Sequence, residues 1–163
     1  MEQLAAQLGA ALKAHGMMLT TAESCTGGGV ASAVTEIAGS SSWFDRGFVT
    51  YSNQAKSDML GVSPDTIMRF GAVSEAVVRE MVAGALHNSQ AQFALAVSGI
   101  AGPGGGTSEK PVGTVWFAWG IKEGMAVSRL HLLPGNRAQI RKQAVTIALQ
   151  GGLELLGRHT ETA

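Results

Sequence analysis

The amino-acid sequence predicts a three-layer α/β/α fold, with a mixed sheet of about five strands and helices on both faces. Segments with the period of amphipathic helices alternate along the chain with short apolar or β-branched segments of strand length, which is the pattern of α/β proteins. One of these, Gln92 to Ile100, is almost continuously apolar, as in a central strand that is covered on both faces. We expect one domain over residues 1–163, because this length suits a single hydrophobic core.

The chain begins with a helix and a buried strand. Leu4, Leu8 and Leu12 recur every fourth residue and predict an amphipathic helix from Glu2 to Ala14. The segment Met17 to Ser24 follows and has the length and apolar character of a short buried strand. Small residues come after the next glycines, so we expect a second helix that packs closely against its neighbours.

The middle of the chain adds a second strand and three helices. Arg46 to Ser52 is rich in β-branched and aromatic residues, which favour strands. Asn53 to Gly61 predicts a short helix that ends at its glycine, a common C-cap residue. Ser63 precedes a proline and Ser74 precedes an apolar periodic segment, so each is expected to be the N-cap of a further helix.

The last third predicts an antiparallel strand pair and a long helix. Pro111 to Gly120 and Gly124 to Leu133 lie on either side of a three-residue link, as the two strands of a hairpin do. Asn136 begins a long segment with helical spacing. Gly151 and Gly152 interrupt this helix with residues of low helix propensity, so they indicate either fraying or close packing.

Composition excludes several classes of function. Twelve Lys and Arg balance twelve Asp and Glu, so the chain lacks the basic surface that nucleic-acid backbones require. Its one cysteine cannot form an internal disulfide. The N-terminus lacks the features of a signal peptide, and no apolar run approaches the ~20 residues of a membrane span. We therefore expect a cytoplasmic protein that binds neither membranes nor nucleic acid.

The first candidate site is the stretch ESCTGGG, residues 23–29, where a strand leads through glycines into a helix. Backbone N–H groups at a helix N-terminus stabilise negative charge, so Ser24 or Thr26 could be a nucleophile with an oxyanion site beside it. The alternative is a capping residue followed by glycines that allow close packing. Cys25 fits a small buried apolar residue better than a reactive thiol.

A serine nucleophile needs a base. The four histidines lie on predicted helices, a strand or the tail, without triad or metal-ligand spacing. Tyr51 and Lys56 lie near the end of the second predicted strand, where sites of α/β proteins gather. A lysine that is held neutral by desolvation can serve as the base. The alternative for Lys56 is a solvated surface side chain.

Two further segments are candidates for ligand binding. Ser98 to Gly113 is rich in glycine, so its backbone could wrap a ligand, or it could be a mobile loop without one. Asn136 and Gln139 approximate a capping box at the start of the last helix. Arg137 and Arg141 lie four residues apart on one face of that helix and could grip a phosphate together or pair with carboxylates elsewhere.

Several motifs occur in a fixed order, namely TAESCTGG, GFVTYSNQAK, GAVS, SGIAGPGGG with KPVGTVW, and GNR. From about Leu4 to Leu156 the chain resembles the CinA C-terminal-domain family, and within it the stand-alone nicotinamide mononucleotide deamidases. The resemblance implies hydrolysis of the carboxamide of nicotinamide mononucleotide, which yields nicotinate mononucleotide and ammonia in pyridine nucleotide salvage. It also implies a homodimer that needs neither a cofactor nor a metal.

The resemblance implies specific roles for the candidate residues. Ser24 would attack the amide carbon, Lys56 would take its proton, and Tyr51 would assist or orient them. Thr26 and the N–H groups around Gly27 would stabilise the oxyanion. The residues expected to bind the substrate are Gly27, Gly28, Gly102, Gly105, Thr107, Arg137 and Arg141, with the two arginines at the 5′-phosphate.

One departure and two alternatives remain. Asn136 stands where the family more often has an aspartate, so an acidic contact is lost, although asparagine also caps helices well. A non-catalytic nucleotide-binding or partner-binding module would use the phosphate site without a meeting of Ser24 and Lys56. An amidohydrolase for another small amide would need that meeting but a different substrate.

Overall fold

The structure is a computed structural model that describes residues 1–162, with side chains described through residue 159. In chain order its elements are α1 (Glu2–Ala14), β1 (Leu19–Glu23), α2 (Gly29–Thr35), a 3₁₀ turn (Ser40–Ser42), β2 (Phe44–Val49), α3 (Asn53–Leu60), α4 (Pro64–Phe70), α5 (Glu75–His87), β3 (Phe93–Gly99), β4 (Thr114–Ile121), β5 (Ala126–Leu132) and α6 (Arg137–Thr162). The strands form one sheet in the order β2-β1-β3-β4-β5. The predicted fold class, with a mixed sheet of about five strands, is confirmed.

The strand directions bring the candidate segments together. β1 pairs in parallel with both β2 and β3, whereas β4 runs antiparallel to β3 and to β5. Glu23 at the end of β1 lies opposite Val49 of β2 and Val97 of β3. Because parallel strands end at the same edge of a sheet, the segments that follow β1, β2 and β3 all begin there.

Helices cover both faces of the sheet. On one face α1, α2 and α6 form a core that includes Leu8, Val30, Trp119 and Leu149. On the other face α3, α4 and α5 form a second core that includes Leu60, Ile67 and Met81. Alternate residues of β3 enter the two cores, with Phe93 in the first and Ala94 in the second. The expectation of a central strand covered on both faces is confirmed.

The second strand lies a little earlier in the chain than the sequence indicates. It spans Phe44–Val49 rather than Arg46 to Ser52, so Tyr51 lies beyond its end. Ser52 is the N-cap of α3, and its hydroxyl accepts a hydrogen bond from the Ala55 N–H at 3.0 Å. Ser52 therefore begins a helix, although its neighbours favour a strand.

Two of the three expected N-caps form through their side chains. The Ser74 hydroxyl accepts from the Val77 N–H, and Asn136 and Gln139 bond reciprocally through side chain and backbone at 2.9 and 2.8 Å. This reciprocal pair is the predicted capping box. Ser63 has the N-cap position of α4, but its side chain makes no capping bond.

Gly151 in α6 marks close packing. A Cβ at this position would lie 2.1 Å from a ring carbon of Trp119, which is 1% exposed and donates its indole N–H to the Ala148 carbonyl at 2.8 Å. The indole is thus fixed and cannot yield. We therefore expect Gly151→Ala to lower the free energy of unfolding by about 1–3 kcal/mol, as measured by urea denaturation.

Gly157 in the same helix is the matched control. A Cβ there meets no atom within 4 Å, so Gly157→Ala should raise the free energy of unfolding by up to about 1 kcal/mol through helix propensity alone. Equal stability of the two variants would contradict the packing explanation.

Within residues 1–162, no helix combines the length and the apolar character that crossing a membrane requires.

Candidate active site

The segments that follow the three parallel strands enclose a cavity of about 300 Å³, which is at the lower end of the range for small-molecule sites. Its lining consists of Ser24 and Cys25 after β1, Tyr51, Asn53 and Lys56 after β2, Ala72 and Val73 before α5, residues 98–102, 104 and 105 around and after the end of β3, and Arg137 of α6. Residues that are far apart in the sequence thus share one cavity at the edge of the sheet.

Ser24 is the first residue after β1. Its N–H donates to the Val97 carbonyl at 3.0 Å, and its own carbonyl accepts from the Gly27 N–H at 3.0 Å. Gly27 and Gly28 have φ of +58° and +99°, a left-handed backbone that favours glycine. The chain therefore turns sharply as soon as the strand ends. We call residues 24–28 the Ser24 turn.

Lys56 meets Ser24 from the other side of the cavity. It lies in α3, and the residue is 1% exposed, against 7% for Ser24. Its Nζ lies 2.9 Å from Ser24 Oγ, 3.0 Å from the Thr50 carbonyl oxygen and 3.2 Å from the Tyr51 carbonyl oxygen. A neutral amine has two N–H donors and one lone pair. It can therefore donate to both carbonyls and receive the Ser24 hydroxyl proton on the lone pair.

The electrostatics of the buried pair favour that neutral amine. Burial lowers the pKa of Lys56 from its ordinary value of 10.5, because desolvation disfavours the ammonium ion. A negative charge on Cys25 would act in the opposite direction. Burial, however, raises the pKa of the Cys25 thiol to about 11, so the thiol is protonated at neutral pH. Cys25 therefore offers no thiolate nucleophile at neutral pH, and burial determines the direction in which the pKa of Lys56 is shifted.

The Thr26 hydroxyl has a partner other than the expected oxyanion. It donates at 2.6 Å to Glu23, whose carboxylate also accepts from the N–H groups of Val30 and Ala31 at 2.8 and 3.0 Å. The first turn of α2 is thus capped by a side chain of the protein itself. The expected open anion site at this helix N-terminus is corrected, because Glu23 already occupies it.

The backbone of the Ser24 turn offers a different pair of donors. The N–H of Gly27, which was expected to face the oxyanion, donates to the Ser24 carbonyl. Among the described residues, the N–H groups of Cys25 and Thr26 have no acceptor in another residue, and that of Cys25 interacts with its own thiol. These two groups follow Ser24 directly in the chain, and Cys25 lines the cavity whereas the buried Thr26 does not.

Arg137 borders the cavity at the start of α6. Its Nη1 donates to the Gly102 carbonyl at 2.8 Å and its Nη2 to Tyr51 Oη at 3.2 Å. Tyr51 is 61% exposed, and its phenol contacts Arg137 rather than Ser24. It meets Ser24 and Lys56 through its carbonyl instead. Tyr51 therefore contacts the amine through its backbone carbonyl and not through its phenol.

Arg141 does not converge with Arg137 on one point. Its Nε donates to the Cys25 carbonyl at 3.0 Å and its Nη2 to the Thr26 carbonyl at 3.3 Å, and it is not part of the cavity lining. The i and i+4 spacing places both arginines on one side of α6, but their side chains reach different segments. The expected joint grip on a phosphate is therefore corrected to one arginine at the cavity and one behind the Ser24 turn.

The remaining candidates divide in the same way. Gly102 and Gly105, which are predicted to contact the substrate, line the cavity. Gly27, Gly28 and Thr107 lie outside its lining. The Thr107 hydroxyl instead accepts from the Lys110 N–H at 3.0 Å and stabilises a turn in the glycine-rich loop.

Sequence reasoning missed Glu23 and two apolar residues of the cavity lining, Ala72 and Val73. A signal for Glu23 was present, because a charged residue at the end of a buried strand needs partners for its charge. Ala72 and Val73 belong to the motif GAVS, which has no polar group at these two positions to suggest a role. Within the described residues, no group of three or more His, Cys, Asp or Glu side chains is arranged to hold a metal ion.

The fold and this cavity define an α/β protein with a serine and lysine pair at the carboxyl edge of its parallel strands. The chain belongs to the CinA C-terminal domain family, whose sequence profile matches residues 1–156. The family expected from the order of the motifs is thus confirmed.

Similar proteins extend over nearly the whole chain. Nicotinamide-nucleotide amidohydrolase PncC of Escherichia coli strain K12 is 57% identical over 148 residues, which are 91% of this chain and 90% of that protein. The protein of the same name from Enterobacter agglomerans is 55% identical over 153 residues, 94% of this chain and 93% of its own. The name of both relatives agrees with the activity that the motifs imply.

A solved structure has the same fold. The crystal structure of the competence/damage inducible protein CihA from Agrobacterium tumefaciens superposes with a TM-score of 0.91 at 49% identity, and the match covers 96% of this chain and 94% of the other.

Proposed function

We propose that this protein is a nicotinamide-nucleotide amidohydrolase that converts nicotinamide mononucleotide to nicotinate mononucleotide and ammonia, with Ser24 as nucleophile and Lys56 as base. The observation that carries the proposal is the 2.9 Å contact between Lys56 Nζ and Ser24 Oγ beside the cavity. The PncC name of relatives at 55–57% identity supports the substrate. A non-catalytic binding module would have no need for a buried lysine amine within hydrogen-bond distance of a serine hydroxyl.

The reaction follows from the two side chains. Lys56 takes the hydroxyl proton as Ser24 Oγ attacks the amide carbon. The carbon–nitrogen bond of the tetrahedral intermediate then breaks, and Lys56 returns the proton to the leaving nitrogen, which departs as ammonia. Water attacks the resulting ester with Lys56 as base, and the acid leaves while the Ser24 hydroxyl is restored.

The oxyanion needs donors that do not reorient during the reaction. The N–H groups of Cys25 and Thr26 are suited to this, because they follow Ser24 directly and donate to no other described residue. The hydroxyl of Thr26 is excluded from that role by its 2.6 Å bond to Glu23.

The cavity lining suggests how the nucleotide lies. Ala72, Val73, Ile100 and Ala101 form an apolar wall for the pyridine ring. Arg137, with Gly104 and Gly105, borders the same cavity and offers a guanidinium and loop backbone to the 5′-phosphate. The two ends of the substrate thus meet two chemically different sides of the cavity.

The direct test is incubation of purified protein with nicotinamide mononucleotide at neutral pH, without added metal, and measurement of ammonia. Stoichiometric release of ammonia and nicotinate mononucleotide is the expected result. Binding without release would favour the nucleotide-binding module, and release from another amide alone would change the substrate. A homodimer and a role in pyridine nucleotide salvage stay predictions from the resemblance, and a cytoplasmic location stays a prediction from the sequence.

Removal of Arg137 tests the phosphate position. We expect Arg137→Met to raise the KM for nicotinamide mononucleotide about tenfold or more, because a charge-assisted bond contributes about 1.5–3 kcal/mol. The KM for nicotinamide riboside, which lacks the phosphate, should change much less. Lys142→Met removes a charge from the same end of α6 outside the cavity lining and is the matched control. An unchanged KM in the Arg137 variant would place the phosphate elsewhere.

A further inference from the structure

Two charged side chains hold the Ser24 turn from different sides. We propose that Glu23 and Arg141 are positioning residues that fix this turn. They would keep Ser24 Oγ within hydrogen-bond distance of Lys56 Nζ and keep the N–H groups of Cys25 and Thr26 directed at the reacting carbonyl. The proposal rests on the proposed function, because it assigns both residues a part in the reaction of Ser24.

Glu23 ties the turn to the strand before it and to the helix after it. Its side chain accepts three hydrogen bonds, one from the Thr26 hydroxyl at 2.6 Å and two from the N–H groups of Val30 and Ala31. The residue is 1% exposed, and a buried carboxylate persists only where such donors replace water. Glu23 therefore fixes the side chain of Thr26 and two backbone N–H groups of α2, close after the nucleophile.

Arg141 holds the carbonyl side of the same turn. Its Nε and Nη2 donate to the carbonyl oxygens of Cys25 and Thr26 at 3.0 and 3.3 Å. A Cβ on Gly27 would lie only 3.2 Å from the Arg141 guanidinium, so the turn lies directly against it. Neighbouring residues of α6 are buried in the core, Ile140 and Ala144 among them, which gives the arginine a fixed base.

The contacts with Arg141 determine the direction of a donor. In a trans peptide the N–H points away from the carbonyl of the same unit. The Cys25 carbonyl faces Arg141, so the Thr26 N–H in that peptide unit is directed away from the guanidinium. Without Arg141, this peptide unit would lose the contact that selects its orientation, and the oxyanion would lose a prearranged donor.

This proposal separates the roles of the two arginines of α6. Arg137 lines the cavity and would contact the phosphate, whereas Arg141 lies behind the turn and would contact no substrate atom. Loss of a positioning residue lowers kcat, and its effect does not depend on the phosphate. Loss of a phosphate ligand raises KM for the phosphorylated substrate in particular.

The test measures kcat and KM of the full chain with nicotinamide mononucleotide and with nicotinamide riboside. The variants are Arg141→Met, Glu23→Gln and Thr26→Val, with Thr26→Ser as the conservative control that keeps the hydroxyl. We expect the first three to lower kcat about tenfold or more on both substrates and to leave KM within about twofold. Thr26→Ser should retain most of the kcat. Thermal melting identifies any variant that fails to fold. The comparison of Thr26→Val with the wild-type threonine, which differ by a methyl group in place of the hydroxyl, then decides.

A second readout does not depend on the substrate. Reaction of Ser24 with a fluorophosphonate places a phosphoryl oxygen in the oxyanion position, and intact-mass spectrometry measures its rate. We expect slower labelling in Arg141→Met and Glu23→Gln than in the wild-type protein, by a factor similar to the fall in kcat.

The outcomes separate the two proposals. A folded Arg141→Met protein with wild-type kcat and a raised KM for the mononucleotide alone would overturn the positioning role and make Arg141 a phosphate ligand. Wild-type kcat in Glu23→Gln and Thr26→Val would overturn the role of Glu23. A wild-type protein that labels at Ser24 but releases no ammonia would refute the proposed substrate and leave the labelling rates to test the turn. Failure of the wild-type protein in both assays would overturn both proposals.

Discussion

Ser24→Ala should reduce ammonia release from nicotinamide mononucleotide by about 10⁴-fold or more, the scale on which hydrolases lose activity when their nucleophile is removed. The Ser24 hydroxyl oxygen lies 2.9 Å from the buried amine of Lys56. Its loss should leave the fold intact, because Ser24 keeps its backbone bonds to Val97 and Gly27. A coupled ammonia assay with thermal melting of the same sample measures both effects.

Ser40→Ala is the control for Ser24→Ala. Ser40 is 8% exposed, against 7% for Ser24, but lies in the 3₁₀ turn and not in the cavity lining. This variant should retain wild-type activity. If Ser24→Ala retains turnover within a few-fold of wild type, the nucleophile is another group, and Cys25 and Thr26 are the next to be tested.

Lys56→Met should lower kcat about 10³-fold, within the usual contribution of general acid and base catalysis. Methionine is also unbranched and is one atom shorter than lysine, but it cannot accept a proton. The variant should melt within a few degrees of wild type. Removal of the amine abolishes the cost of burying a polar group, and this offsets the loss of its two hydrogen bonds to the carbonyls of Thr50 and Tyr51. Steady-state kinetics and thermal melting give the two values.

The pH dependence provides a second measure of Lys56. Its pKa in the folded protein is lowered from 10.5 by burial, and the active form is the neutral amine. The value of kcat/KM should therefore rise with pH and level off at a midpoint below 10.5. Between the lowered pKa of Lys56 in the folded protein and the ordinary value of 10.5 in the unfolded chain, the unfolded state binds more protons. The stability of the wild-type protein relative to Lys56→Met should therefore also rise with pH in that window.

Lys56→Arg distinguishes a base from a fixed positive charge. Arginine stays protonated, so we expect this variant to be as inactive as Lys56→Met. Activity near wild type in Lys56→Arg, or a kcat/KM that does not change with pH up to 10.5, would show that position 56 contributes charge rather than proton transfer.

The meeting of Ser24 and Lys56 could be predicted although 32 residues separate them. Both follow strands with clear apolar or β-branched patterns, and parallel neighbours end at one edge of a sheet. The sequence also indicates each local device that places them, namely the glycines after Ser24 and the helix from Asn53 that ends at Gly61. Local signals and one general rule of topology therefore place both residues at one edge of the sheet, and the family resemblance supplies their pairing.

The partners of the helix N-terminus could not be predicted in the same way. The apolar pattern of the sequence does not report where Glu23 directs its side chain. It is therefore the same whether the N–H groups of the first helical turn are free or are capped by a buried carboxylate. The same limit applies to Arg137 and Arg141. Their spacing places them on one face of α6, but the length of an arginine side chain lets each reach a different segment. Positive charge in the first turns of the helix suggested an anion, whereas carbonyl oxygens accept from both arginines.

The most direct test of the Ser24 assignment is a crystal structure of the Ser24→Ala protein with nicotinamide mononucleotide bound. We expect the amide carbon about 3–3.5 Å from the position of the missing Oγ, the amide oxygen towards the N–H groups of Cys25 and Thr26, and the phosphate at Arg137. A nucleotide bound with its carboxamide away from residue 24, or with its phosphate on Arg141, would contradict the mechanism.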